Sequence, residues 1–205
     1  VEYIEVRCMD LDPFVPVGIA AGTVRFLDVF LLHCLLSDSP PDTPAEIAAL
    51  GRNQHHTATH GREPGLRLER RGELVLLTEW ATELLDQCAP IAAALDAVHG
   101  GSAYAYAVAS ARAQLAEPAT LRSARAIAAM QRDFDGSYTA FIRAQSEQTR
   151  NHMLALPWSA PHQAAFEAMT RVSVDKQRAI EAADTMDFET FRVAYLSEET
   201  LAPKC

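Results

Sequence analysis

The sequence predicts an α+β chain that is predominantly helical, with a β-strand at its very start. Three observations carry this expectation. Residues 3 to 9 alternate, with Ile4, Val6 and Cys8 on one face and Tyr3, Glu5, Arg7 and Met9 on the other, the period of a strand. From Glu79 onward the pattern is almost wholly that of alanine-rich helices. Between the two, "LRLERRGELVLL" offers material for one short hairpin at 66–77, turning at Arg71 and Gly72.

The elements follow in order. "DLDPFVPVG" ends the opening alternation with two prolines and a glycine. "TVRFLDVFLLHCLL", from about Thr23 to Leu36, is too long and apolar for a strand and reads as a buried helix, closed by "SDSPPDTP". Pro44 suits the first turn of a second helix, with Thr43 as its N-cap, and "HGREPG" ends that helix near His60. Further helices are expected over about 79–97, 102–115, 119–131, 135–153, 161–184 and 187–195. The breaks fall at "HGGS", "AEPAT", "DFDG" and "ALPWSAP". This divides the chain into a strand and loop over 1–22, belonging to a larger sheet, and a helical region over 23–205. An isolated strand leaves its backbone donors and acceptors unpaired, so the opening strand needs partners that this sequence barely supplies. Val1 stands where a methionine would begin a chain, and it already lies within the alternation. Both features lead to the expectation that the chain starts partway through a larger protein.

Composition narrows the function. At 205 residues, 49% hydrophobic and 22% charged, the chain suits a globular domain. A net charge of -9 without a basic block argues against a nucleic-acid surface. No apolar run reaches the length of a membrane span, and no signal peptide is present. Cys8, Cys34, Cys88 and Cys205 have neither metal-site nor redox-motif spacing, which is the usage of reduced thiols in a cytoplasmic protein.

Among candidate functional residues, Glu5 and Arg7 stand out. Alternate residues of a strand project together, so a carboxylate and a guanidinium would share one rigid support. A carboxylate can ligate Mg2+, and a guanidinium can clamp a transferring phosphoryl group. From this pattern alone the pair reads first as a surface ion pair on an exposed sheet face. His55, His56 and His60 read as an exposed cluster on a polar helix, with no marked third metal ligand. Arg62 in "GREPG" can cap a helix end or meet an anion. Phe134, Tyr138 and Phe141 recur at helical spacing and read as core, and "HGGSAYAY" reads as a turn between helices.

"YIEVRCMDLDPFVPVGI" closely resembles the active-site strand and loop of the proteobacterial glutamate–cysteine ligases, also called gamma-glutamylcysteine synthetases. The resemblance continues in order through "VRFLDVFLLHCLL", "GREPGL", "GGSAY", "SARAIAAM" and "EAADTMDFETF", and covers essentially the whole chain. The opening motif is specific, whereas the later matches persuade by their order. It implies the C-terminal two fifths or so of such an enzyme, the helical part of a glutamine-synthetase-like catalytic fold. It implies ATP and Mg2+, with L-glutamate and L-cysteine as substrates joined through an acyl phosphate in the first step of glutathione synthesis. Glu5 takes the place of a magnesium ligand, and Arg7 that of the residue contacting the transferring phosphoryl group and hence the nucleotide. The missing N-terminal catalytic portion is implied as the partner that holds the other metal carboxylates and the substrate-recognition residues, leaving this chain inactive alone. Two departures stand in the sequence: Cys8 replaces a small hydroxyl residue, and "RNQHHTATHGREPG" carries glutamine and histidines where relatives favour tryptophan and arginine. Two alternatives remain open from the residues alone. One is a related ATP-dependent carboxylate–amine ligase using another amine. The other is a helical interaction domain without catalysis.

Overall fold

The computed structural model describes residues 3–7 and 9–201. Residue contacts divide the chain into two units, 1–154 and 155–205. The first unit holds a three-helix core made by α1 (Ala21–Leu36), α3 (Leu77–His99) and α4 (Ala103–Ala116). Val29 of α1, Leu85, Cys88 and Ala92 of α3, and Val108 of α4 are buried against one another, with Phe26, Phe30 and Leu95 around them. The small side chains of Ala92 and Ala107 are themselves buried, which suits close approach of the helices. Burial pushes the Cys88 thiol up, and the neighbouring Cys34 adds to the shift, so Cys88 behaves as a small apolar residue rather than a nucleophile. Pro90 lies inside α3 and leaves the carbonyl of Asp86 without its intrahelical donor.

"HGGS" makes the turn between α3 and α4 with Gly100 and Gly101 both at positive φ, 80° and 82°. The cap of α4 comes from the preceding helix. Buried Asp96 accepts from the backbone N–H groups of Tyr104 and Ala105, each at 2.9 Å, whereas Ser102 at the N-cap position makes no side-chain cap bond. A carboxylate at the positive pole of a helix is favoured by charge as well as by hydrogen bonding.

The second helix, α2 (Pro44–His60), starts as its sequence directs, with Thr43 Oγ1 accepting from Glu46 N–H at 3.2 Å. It is joined to a hairpin of β1 (Arg67–Arg70) and β2 (Glu73–Leu76), paired antiparallel with Arg67 opposite Leu76. Arg71 and Gly72 turn it with φ of 53° and 84°, the left-handed conformations of a two-residue turn. Asn53 of α2 treats β1 as a neighbouring strand would. Its amide donates to the Glu69 carbonyl at 2.7 Å and accepts from the Glu69 N–H at 2.8 Å.

A 3-10 turn (Pro118–Thr120) leads into α5 (Arg122–Asp133), and α6 (Tyr138–Ala155) completes this unit. Phe141 of α6 is fully buried and meets Phe134 edge-on and Phe14 at a tilt. Tyr138 is exposed, so of the three aromatics read as core only Phe141 is fully enclosed. The second unit comprises α7 (Ala160–Ala183), α8 (Phe188–Tyr195) and α9 (Glu198–Leu201). Ser159 caps α7, and Asp187 caps α8 by accepting from Glu189 and Thr190 N–H. Neither α7 nor α8 has a buried residue. No helix among the described residues is long and apolar enough to cross a membrane.

The opening segment lies outside these elements. Residues 3–7 have no strand assignment, and the two strands among the described residues are those of the hairpin. A strand exists by its ladder, and no described segment pairs with this one. Ile4 and Val6, expected to face a core, are 65% and 43% exposed. Val1, Cys8 and Cys205 lie outside the described residues.

Candidate active site

Glu5 and Arg7 do project together, as the alternation requires. Arg7 Nη2 donates to Glu5 Oε2 at 2.7 Å, with the side chains 52% (Glu5) and 78% (Arg7) exposed. A guanidinium has five N–H donors and a carboxylate about four acceptor sites, so one mutual bond leaves most of both groups' capacity available. At this exposure the pair adds little to stability.

Mg2+ takes six oxygens in near-octahedral array and commonly retains several waters. Glu5 can supply one such oxygen. Among the described residues no group of three or more His, Cys, Asp or Glu side chains is placed to hold a metal. The residues present fit one position of a magnesium shell. His56 and His60 lie one turn apart on α2, but His60 turns to Thr59 at 2.7 Å and lies 3.9 Å from Glu63.

The loop that carries the pair is closed on itself. Asp12 N–H donates to the Gly18 carbonyl at 2.8 Å, Gly18 N–H to Val15 at 3.0 Å, and Phe14 N–H to Asp12 Oδ1 at 3.0 Å. Gly18 has φ of 73°, a conformation that selects glycine, whereas the Leu11 side-chain end 2.8 Å from a Cβ there is exposed and free to move. Asp12 is only 7% exposed and binds Arg122 Nε at 3.2 Å, while Arg122 Nη2 reaches Thr23 Oγ1 of α1. Arg125 lies 4.4 Å above the ring of Phe14. None of these contacts is visible in the sequence, because Asp12 and Arg122 stand 110 positions apart. A cavity of about 960 Å³ opens beside the loop, lined among others by Asp10, Asp12, Arg122, Gln145, Thr149 and Arg150.

Two bidentate ion pairs hold the hairpin. Arg52 grips Glu69 at 2.6 and 2.7 Å, and Arg70 grips Glu83 at 2.5 and 2.8 Å while lying 5.2 Å above the Trp80 ring. The hydrogen bonds from Arg52 hold the Glu69 carboxyl below its ordinary value, and those from Arg70 do the same for Glu83. A depressed carboxylate contributes stability that is fully present above its unfolded pKa and disappears as pH falls through its folded pKa. The docking of β1 on α2 is therefore expected to loosen on acidification below the usual glutamate range. Carboxyl chemical shifts should show Glu69 titrating low, and Arg52→Ala should return it upward. Titration of Glu69 unaltered by Arg52→Ala is the contrary result.

The helical framework is similar to part of a ligase of known structure. It matches the crystal structure of glutamate–cysteine ligase from Francisella tularensis, solved in complex with AMP, with a TM-score of 0.74 and 26% identity over 93% of this chain and 37% of that one. Residues 1–57, including Glu5, Arg7 and the loop, match the glutamate–cysteine ligase family. Glutamate–cysteine ligases of Pseudomonas paraeruginosa and Azotobacter vinelandii are 42% and 40% identical over 195 residues, 95% of this chain. That of Bordetella parapertussis is 41% identical over 197 residues. Glutamate–cysteine ligases thus match this chain at high identity over most of its length. It spans 37% of the length of these relatives.

Proposed function

We propose that this chain contributes to ATP-dependent ligation of L-glutamate to L-cysteine, giving gamma-glutamylcysteine, ADP and phosphate. The observation that carries the reading is the Glu5–Arg7 pair projecting from a segment matched to this family. Glu5 supplies one oxygen to a Mg2+ ion, which when bound neutralises phosphate charge on ATP. Arg7 exchanges its bond to Glu5 for the oxygens of the transferring phosphoryl group. A planar fork of donors suits that group, and phosphoryl transfer depends on positioning and charge stabilisation more than on covalent help from the protein. The gamma-carboxylate oxygen of glutamate bonds to the terminal phosphorus as the bond to ADP breaks. The cysteine amine then attacks the acyl carbon, phosphate leaves, and the amine gives up a proton.

The other metal carboxylates and the two amino-acid pockets are assigned to the part of the relatives' length that this chain does not span. One carboxylate and one guanidinium do not enclose a reaction, so the 205-residue chain is expected to be inactive alone. Purified chain supplied with ATP, Mg2+, glutamate and cysteine should release neither gamma-glutamylcysteine nor ADP above background. Turnover at enzyme-like rates contradicts the division of the site. In the full-length ligase, product identification with a panel of amines tests cysteine as the acceptor.

A further inference from the structure

We infer that Arg122 and Arg125 of α5 are positioning residues for the Glu5–Arg7 segment, acting through Asp12 and Phe14; the inference rests on the reading of Arg7 given above.

The location of Arg122 is the first argument. It is the first residue of α5, where the helix dipole disfavours a cation, and the first turn has no acidic residue and no side-chain cap. The compensating charge comes from Asp12, a carboxylate with a 9% exposed side chain, which the loop delivers to that helix end. Arg122 also holds Thr23, so one side chain ties the loop to the start of both α1 and α5. Arg125, one turn on, covers one face of Phe14, whose ring also meets buried Phe141. Loop and helix are thus joined twice from α5, by a shielded ion pair and by a cation–π contact.

Chain length supplies the magnitude. Glu5 and Arg7 belong to no ladder among the described residues. Five peptide units separate Arg7 from Asp12, against fourteen to Ala21, the first residue of α1. At about 3.4 Å per extended residue the tether reaches about 17 Å with the anchor and about 48 Å without it. Local concentration at the end of a flexible tether falls roughly as the −3/2 power of its length, so loss of both anchors dilutes Arg7 at its target by at most about fivefold, the limit in which the loop side alone holds the segment. Loss of one leaves the other in place and has a smaller effect.

The test uses the full-length ligase. Arg122→Ala with Arg125→Ala should lower kcat by up to about fivefold, each single variant less, while KM for glutamate and cysteine stays within about twofold. The loop-side variant Asp12→Asn with Phe14→Leu leaves α5 untouched and should give the same direction of change. Amide exchange at Asp12 and Gly18 should accelerate in both double variants. In an Arg7→Ala background the α5 variants should produce a smaller fold loss, the part carried by Glu5, because residues acting through one another are not additive. The same fold loss in both backgrounds, or an unchanged kcat with accelerated exchange, overturns the inference while Arg7→Ala remains impaired. An unimpaired Arg7→Ala enzyme overturns the parent reading and the inference together.

Discussion

If the proposed ligase reading holds, replacing Arg7 by alanine in the full-length protein lowers kcat by about two to three orders of magnitude, the usual consequence of deleting one preorganised donor to a developing charge. The direction follows from when the contact is made. In this chain Arg7 is spent on Glu5, and its other donors face water. A group that meets the phosphoryl oxygens mainly as charge shifts onto them stabilises the transition state more than the bound substrates. In the proposed reaction the cysteine amine reacts only after phosphoryl transfer, so the KM for cysteine should move little. Arg7→Lys keeps the charge and loses the fork, and should recover only part of the rate. Steady-state kinetics with each substrate varied in turn would decide it. A kcat equal to wild type would leave Glu5 and Arg7 as the surface ion pair that strand spacing alone also allows.

That ambiguity shows which parts of this molecule were legible in the sequence. The helices were, because each is written locally. Apolar spacing places α1, α3 and α4, Thr43–Pro44 starts α2, and Arg71–Gly72 turns the hairpin. What depends on distant partners was not. Asp96 capping α4, Asn53 completing the edge of β1 and Arg122 holding Asp12 use ordinary polar residues whose roles exist only after the chain has folded. The opening segment marks the same boundary from the other side. Its alternation is a sound strand signal, yet pairing is a property of two segments, and the described residues contain no second one. Local spacing did place Glu5 beside Arg7; the chemistry proposed for them rests on the match to the family model rather than on the pair's geometry.

Phe141→Ala is expected to destabilise the first unit by about 3–5 kcal/mol, the range for removing a buried phenylalanine that leaves a cavity. The ring is fully buried, with centroids 5.8 Å from Phe14 and 5.7 Å from Phe134. Each aromatic contact of this kind adds about 0.5–1.5 kcal/mol to the area term, which places the loss towards the upper end. Tyr138→Ala is the informative control. It lies on the same helix at a spacing of three, and the sequence makes the two residues look equivalent. Tyr138 is 62% exposed, so its removal should change stability by no more than about 0.5 kcal/mol. Urea midpoints at constant slope would measure both. Equal effects would mean that the aromatic cluster around Phe141 is not the core of this region. Phe14 belongs to the loop that follows Arg7, so the Phe141→Ala cavity also removes the floor beneath that loop. Amide exchange at Gly18 should then rise beyond what global destabilisation alone produces, linking the packing of α6 to the segment that bears the candidate site.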